Sequence, residues 1–252
     1  MAEFLLEIYS EEIPHGLQIN AREEIKKNLL KLLHDEGIKY KSSEVYSTPT
    51  RIALFVKDLP NEIKLDPKEI RGPKVGMPED VIEGFMRSHQ ISKSDLIEKT
   101  EKKGNFYYFR KEGKKILTED LLVKILPKVL GLINWKKSMR WSEHDLMWGR
   151  PLRSILALFN NKHLKFDYYH LSSTDGVIIL NNLDEKFKKI KNFKEYESLL
   201  KTNKIYLKQE DRKNSILKKF QSICKAKSYL DNFNEKLIEE VVNITENPRV
   251  II

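Results

Sequence analysis

The chain has a single cysteine, Cys224, among its 252 residues, so it can form neither an internal disulfide nor a zinc site built from several cysteines. Its apolar runs are all shorter than the roughly 18 residues that a membrane-spanning helix requires. The N-terminal residues, MAEFLLEIYSEE, carry acids where a secretory signal peptide would carry cations. These absences predict a cytoplasmic protein that has no membrane partner.

The sequence also lacks the patterns that bind nucleotides and metals. It has no glycine-rich phosphate loop and no Gly-Lys-Ser or Gly-Lys-Thr triplet. Its 6 histidines show no His-x-x-x-His spacing, and no histidine closely precedes the His144-Asp145 dipeptide, as a metal-dependent phosphohydrolase would need. Ser47 and Ser142 have no evident base partner. We therefore predict no catalytic residue, no metal and no cofactor in this chain.

Positive charge, by contrast, is abundant and unevenly distributed. The net charge is +9, and residues 184–228 hold 14 lysines and arginines against 6 acids, a local charge of +8. Such a segment is typical of a protein that binds RNA, although a solvated, lysine-rich helix surface has the same composition. The seven-residue spacing of Lys218 and Lys225 places both on the polar face of a predicted helix. The candidate RNA-binding residues are Arg212, Lys218, Lys219 and Lys225.

Hydrophobic periodicity predicts an α+β protein with mixed sheets and flanking helices, followed by a helical C-terminal segment. Residues 1–60 favour a β-α-β unit, in which a strand precedes a helix that Gly37 ends. Residues 61–180 favour an α+β core. Residues 181–252 favour a basic helical segment, helical throughout 184–228 and again over 233–244, which we expect to continue beyond residue 252.

Several local patterns within the predicted core give further expectations. Four prolines make residues 57–78 resemble a linker, and Pro78 suits the first position of a short amphipathic helix. Ser94 is predicted to cap a further turn, and Thr118 to cap a longer helix that Pro127 kinks. A hairpin is predicted between residues 106–111 and 115–117 about Glu112-Gly113, and a strand over 163–169 after an Asn160-Asn161 turn.

Residues 138–159 combine two tryptophans with three arginines, Arg140, Arg150 and Arg153, ahead of an apolar strand. A guanidinium is a planar fork of donors that also stacks on aromatic rings. We predict that Arg140 and Arg150 are partly buried and bind backbone carbonyls or carboxylates around Trp141. Direct contact with a substrate is the alternative.

Three acids near the N-terminus, Glu7, Glu11 and Glu12, permit two interpretations. They could bind a cation or an amino group. They could instead cap the following helix, because carboxylates interact favourably with the positive end of a helix dipole. We favour the cap.

A series of short motifs gives the chain a family resemblance. An acidic turn, a Thr-Pro-x-Arg element, Arg-Gly-Pro, Met-Arg-Trp and Arg-Pro follow one another, and three helical motifs over 83–88, 211–216 and 237–248 accompany them. In this order the motifs resemble the beta subunit of the bacterial tetrameric glycyl-tRNA synthetase. The residues that match the first five motifs are Glu7, Glu11, Glu12, Pro14, Thr48, Pro49, Arg51, Arg71, Gly72, Pro73, Met139, Arg140, Trp141, Arg150 and Pro151.

The sequence departs from the family pattern at three places. Thr50 stands where the family has the first arginine of Thr-Pro-Arg-Arg, and Ser142 where it has the glycine of Met-Arg-Trp-Gly. Gly176-Val177-Ile178-Ile179 stands where the family has Gly-His-Arg-Phe, so a polar pair is lost. Any function that this pair serves in the family is therefore in doubt here.

The resemblance implies a fold, a function and partners. It implies the N-terminal third of a longer subunit, with a shape related to the B3/B4 region of phenylalanyl-tRNA synthetase and with the motif residues in structural roles. It also implies a non-catalytic subunit that supports binding of tRNA(Gly) and assembly into an α2β2 tetramer, in which the alpha subunit uses ATP and Mg²⁺. The alternative is a stand-alone RNA-binding module or a hydrolase-like tRNA-editing module.

Overall fold

The computed structural model describes residues 2–64, 67–101, 104–111, 113, 115–141, 143–181, 184–230 and 232–251. Contacts within the chain group it into two compact units, one of Met1–Asn61 with Thr118–Ile252 and the other of Glu62–Leu117. A compact unit need not fold independently, so the three domains predicted from the sequence stay a prediction. Each unit is described separately below.

The described residues form six α-helices and short antiparallel sheets, which confirms the α+β class. The helices are α1 (His15–Asp35), α2 (Glu79–His89), α3 (Thr118–Gly131), α4 (Phe193–Thr202), α5 (Gln209–Lys227) and α6 (Glu235–Ile244). The strands are β1 (Ala2–Ser10), β2 (Ser42–Ser47), β3 (Arg51–Leu59), β4 (Glu62–Lys64), β5 (Lys68–Lys74), β6 (Leu96–Glu101), β7 (Gly104–Lys111), β8 (Lys115–Leu117), β9 (Met139–Arg140), β10 (Met147–Trp148), β11 (Leu152–Phe159), β12 (Lys162–His163), β13 (Asp167–Tyr168), β14 (Leu171–Ser172), β15 (Gly176–Asn181) and β16 (Asp184–Lys189).

The larger unit is built on a five-stranded sheet with the order β12-β11-β1-β3-β2. All neighbouring strands in it are antiparallel, so the expectation of mixed sheets was wrong for this sheet. Because β1 and β2 both run antiparallel to β3, they point in the same direction with β3 between them. The predicted β-α-β unit is therefore present in its split form.

Helix α1 forms because its apolar side chains recur with the helical period. Ala21, Ile25, Leu29 and Leu33 are fully buried on one face, which packs beside β2 and β3. At the helix end, Gly37 adopts a positive φ of 75°, and the N–H groups of residues 37 and 38 donate to carbonyls of the last turn. This is the Schellman arrangement that the glycine predicted.

The opposite face of the sheet carries a second apolar cluster. Leu5, Ala53, Leu156 and Leu158 project from the sheet toward the β15–β16 hairpin and α4, where Val177 and Tyr196 are fully buried. Residues that pair directly across strands share a face, so Glu7, opposite Ala53, and Arg51, opposite Tyr9, project on this side as well. Two charged residues thus lie under an otherwise apolar layer.

Helix α3 confirms one sequence prediction and corrects another. All six apolar residues predicted to point inward are buried: Leu121, Leu122, Ile125, Leu126, Val129 and Leu130. Thr118, however, is the first residue of the helix, and its buried hydroxyl has no hydrogen-bond partner within the described chain. The prediction of a Thr118 cap was therefore wrong. Pro127 lies inside the helix as the sequence requires.

The smaller unit corrects the expectation of a linker over residues 57–78. Strands β4 and β5 lie within this range, and β5 forms an antiparallel sheet in the order β5-β7-β6. The prediction of a hairpin between residues 106–111 and 115–117 was also wrong, because β8 pairs with β4 and not with β7. Glu112, in the turn predicted for that hairpin, lies outside the described residues. Pro78 precedes α2 as its N-cap residue, and Ser92, not Ser94, caps the following turn.

The C-terminal part of the larger unit is less helical than predicted. The first six residues of the basic segment form strand β16, which pairs with β15 before α4 and α5 begin. The strand predicted over 163–169 is instead two short strands, β12 and β13. The Asn160-Asn161 turn is confirmed, with φ values of 49° and 62°, and so is the last helix, α6. In the described residues no helix combines the length and apolarity needed to span a bilayer.

Candidate functional site

The centre of the larger unit is a buried ion pair between two family-motif residues. The guanidinium of Arg51 donates through Nη1 to Glu7 Oε2 at 3.1 Å, and both side chains are only 2% exposed. Arg51 Nη2 donates to the carbonyl of Ile178 at 2.5 Å, and its guanidinium lies 4.5 Å from the centre of the Tyr9 ring. The same Glu7 oxygen accepts a hydrogen bond of 2.5 Å from the hydroxyl of Tyr196.

The protonation states of these groups follow from their surroundings. Burial on its own would lower the pKa of Arg51, but the acidic groups around it, Glu7 foremost with Tyr196 and Glu246, together outweigh burial and raise this pKa. Burial, followed by the charge of Glu7, raises the pKa of Tyr196 well above its ordinary value. Arg51 therefore stays charged and Tyr196 neutral, so that each donates to Glu7.

A second carboxylate extends this network toward the C-terminal residues. Glu246 Oε1 accepts hydrogen bonds from the hydroxyls of Thr48 at 2.7 Å and Thr50 at 3.0 Å, and lies 3.9 Å from Arg51 Nε. Its backbone carbonyl accepts from the N–H of Tyr206 at 3.0 Å. The loop between β2 and β3 is thus bound to the segment after α6, which lies 198 positions away in the sequence.

Arg212 is a second buried arginine, and its placement corrects a sequence prediction. Its side chain is fully buried and donates to the carbonyls of Ser47, Leu207 and Val242 at 2.8–2.9 Å, and also to that of Tyr206. Burial lowers its pKa to about 10, so it remains charged near neutral pH. Arg212 joins four segments of the chain, and its side chain is not exposed to bind RNA. The prediction of Arg212 as an RNA-binding residue was therefore wrong.

The acidic turn does not cap the following helix, so that prediction was wrong. The first turn of α1 contains no acid, and its N-cap residue Pro14 makes no side-chain hydrogen bond. Glu7 is held by Arg51, and Glu11 forms an ion pair of 3.0 Å with Arg153. The backbone N–H of Glu11 donates to Pro151 at 3.0 Å, and the carbonyl of Glu12 accepts from Arg150 Nε at 3.0 Å.

Of the two arginines predicted to be partly buried around Trp141, Arg150 confirms the prediction and Arg140 confirms it only in part. Arg150 is half-buried and binds a carbonyl, as predicted. Arg140, in the two-stranded β9–β10 ribbon, binds a carboxylate as predicted, that of Asp145 at 3.0 Å, but 61% of its side chain is exposed, so the prediction of partial burial was wrong. Asp145 of the His144-Asp145 dipeptide is thus the ion-pair partner of Arg140. Trp141 Nε1 donates to the carbonyl of Trp148 at 3.2 Å, while Met139 is exposed.

The Arg-Gly-Pro motif has a packing role in the smaller unit. A β-bulge falls between Arg71 and Lys74 in β5 and contains Gly72 and Pro73. A Cβ atom added at Gly72 would lie 2.7 Å from the ring of Phe85 in α2. Glycine at this position therefore allows α2 to pack closely on the sheet.

The segment that replaces the family's polar pair is part of the core. Val177 and Ile179 are buried at 0% and 2% exposure, and the carbonyl of Ile178 is the acceptor for Arg51. Of the two residues that stand for the polar pair, Val177 is thus buried in the core, whereas Ile178 is half-buried. Ser142, a second departure, lies outside the described residues, and Thr50, the third, donates to Glu246.

The lysine candidates occupy the exposed face of α5. Lys218, Lys219 and Lys225 are exposed, and Ile216 and Cys224 are buried on the other side of the helix, as their spacing predicted. In the described part of the chain, no group of three or more His, Cys, Asp or Glu residues could hold a metal ion.

The buried site residues therefore bind mainly one another, whereas the lysine face of α5 is exposed. The chain matches the family model of the glycyl-tRNA synthetase beta subunit over residues 4–252. This chain belongs to the glycyl-tRNA synthetase beta subunit family.

Individual relatives agree with this assignment. The chain is 31% identical over 252 residues to the glycine–tRNA ligase beta subunit of Rickettsia akari, and 33% identical over 255 residues to that of Rickettsia prowazekii. Each alignment covers all of this chain and 38% of the length of the relative. The chain thus spans under half the length of the curated relatives it matches.

Proposed function

We propose that this chain is the N-terminal part of the beta subunit of glycine–tRNA ligase. In this role it supports tRNA(Gly) binding and assembly with a catalytic alpha subunit in an α2β2 tetramer in the cytoplasm. ATP and Mg²⁺ would be used by the alpha subunit, and this chain would bind neither. The observation that carries the proposal is the family match over residues 4–252, four of whose motif residues, Glu7, Thr48, Arg51 and Glu246, meet in one network.

The network supports a scaffolding role over a catalytic one. Glu7 accepts hydrogen bonds from both Arg51 and Tyr196, and Arg212 donates to backbone carbonyls. A catalytic acid or base must reach a substrate proton within hydrogen-bonding distance. These side chains are too deeply buried to do so.

We expect the purified chain, free of alpha subunit, to catalyse no glycine-dependent exchange of pyrophosphate into ATP. The reason is that its sequence has no nucleotide-binding motif and its motif residues are committed to internal contacts. The alpha subunit of the same organism is the positive control, assayed alone and with the chain added. Exchange above background by the chain alone would contradict the proposal.

Association with the alpha subunit is the second part of this test. The chain and the alpha subunit should elute together from a size-exclusion column, at a volume smaller than either alone. The alternative of a stand-alone RNA-binding module, which the exposed lysines of α5 favour, predicts tRNA binding without such association. Separate elution at concentrations well above those of the exchange assay would therefore favour that alternative.

A further inference from the structure

One face of the sheet in the smaller unit has no role in the scaffold described above. Helix α2 packs on one side of the β5-β7-β6 sheet, where the rings of Phe85 and Phe109 meet edge to face with their centres 5.9 Å apart. Side chains alternate along a strand, so Phe106 and Tyr108 of the central strand β7 project from the opposite side. Ile97, which pairs with Tyr108 from β6, is 50% exposed. This side, which we call the aromatic face, is therefore partly open to solvent, with Phe106 and Tyr108 themselves half-buried.

Cations are interleaved with the two rings of the aromatic face. The guanidinium of Arg71 lies 3.7 Å from the centre of the Phe106 ring, and the ammonium of Lys99 lies 5.5 Å from that of Tyr108. Each cation is also oriented by a carboxylate, Arg71 by Glu101 at 3.4 Å and Lys99 by Glu69 at 2.6 Å. Arg71 is nevertheless 46% exposed, so the outer side of its guanidinium plane can receive another flat group.

We propose that the aromatic face binds unpaired bases of single-stranded RNA. Two aromatic residues on the central strand of an antiparallel sheet, with a helix on the other side and cations beside them, are the means by which proteins stack splayed bases. One base would stack on the Arg71–Phe106 pair and the next on Tyr108. Exposed Arg110, which projects on the same face, would meet a phosphate.

The spacing of the rings favours a single strand over a duplex. Phe106 and Tyr108 are two residues apart in β7, or about 7 Å along the strand. This is about twice the 3.4 Å rise between stacked bases, so two bases bound to the rings must be separated from each other. Bases within a duplex remain stacked and paired, and their faces cannot reach the rings.

The inference rests on the proposed function only in taking RNA as the partner, and its test uses the full chain. Binding of a short fluorescent single-stranded RNA is measured by anisotropy for the parent and for the Phe106→Leu, Tyr108→Leu double variant. Loss of base stacking should weaken binding about tenfold or more for each ring. Tyr107→Leu is the matched control, since Tyr107 belongs to the same strand but projects toward α2, and it should bind like the parent.

A second measurement needs no variant. An RNA strand of equal length whose central bases are removed keeps its phosphates, and it should bind the parent at least tenfold more weakly. Equal binding of the abasic strand, or parent-like binding by the folded double variant, would overturn the inference. Base-dependent binding of the short RNA without any binding of tRNA(Gly) would uphold it while refuting the proposed function.

Discussion

Replacing Arg51 with methionine should destabilise the protein by about 3–5 kcal/mol. The substitution would leave the carboxylate of Glu7 buried at 2% exposure without its cationic partner. It would also leave the carbonyl of Ile178 without the donor that binds it at 2.5 Å. Equilibrium unfolding in urea measures the loss as a lower transition midpoint.

Two further variants make the Arg51 result specific. Adding Glu7→Leu to Arg51→Met should recover part of the lost stability, because no unpaired charge then remains buried. Arg140→Ala removes an exposed arginine–aspartate pair of similar length, 3.0 Å, and should change stability by no more than about 1 kcal/mol. If Arg51→Met unfolds like the parent but no longer binds tRNA, Arg51 contacts a ligand and the scaffold account is wrong.

Reversing two charges on α5, by Lys218→Glu with Lys225→Glu, should greatly weaken tRNA binding. Both lysines are exposed and lie on one side of the helix. Lysines that contact phosphates release counterions, and each contact adds about 0.9 to the slope of log affinity against log salt concentration. We expect the slope to fall by about 2 and the affinity at low salt to fall tenfold or more. A salt titration of tRNA binding measures both quantities.

The matched control is the same reversal on another exposed helix surface. Lys124 and Lys128 are exposed on α3, outside the basic segment, and Lys124→Glu with Lys128→Glu changes the net charge equally. This control should keep the parent's salt slope. Equal slopes and affinities for the α5 variant and the parent would assign those lysines to a merely solvated surface. Because lysine is a point charge, the binding should also depend little on RNA sequence.

The sequence predicted those parts of the fold that depend on local patterns. Helices α1 and α3 followed from the spacing of their apolar residues, and Gly37 and the Asn160-Asn161 turn followed from backbone conformations that few residues adopt. The hairpin around residue 112 failed for the complementary reason. A turn pattern cannot show that β8 pairs with β4, about 50 residues earlier, and not with its neighbour.

The candidate site was only partly predictable, because its contacts join residues distant in sequence. The family resemblance singled out Glu7, Thr48 and Arg51, but the local pattern of acids suggested a helix cap and not a buried ion pair. Arg212 lies in a basic helix, where neighbouring lysines are exposed. Its carbonyl partners at Ser47 and Val242 lie 165 and 30 positions away, so composition alone favoured a surface role.

Glycylation of tRNA(Gly) tests the central claim most directly. The alpha subunit of the same organism, with any further beta-subunit polypeptide that the organism encodes, is assayed with and without this chain. We predict that charging of tRNA(Gly) depends on the chain, and that Arg51→Met supports charging only in proportion to its folded fraction. Equal charging rates with the chain present and absent would contradict the assignment of this scaffold to glycyl-tRNA synthesis.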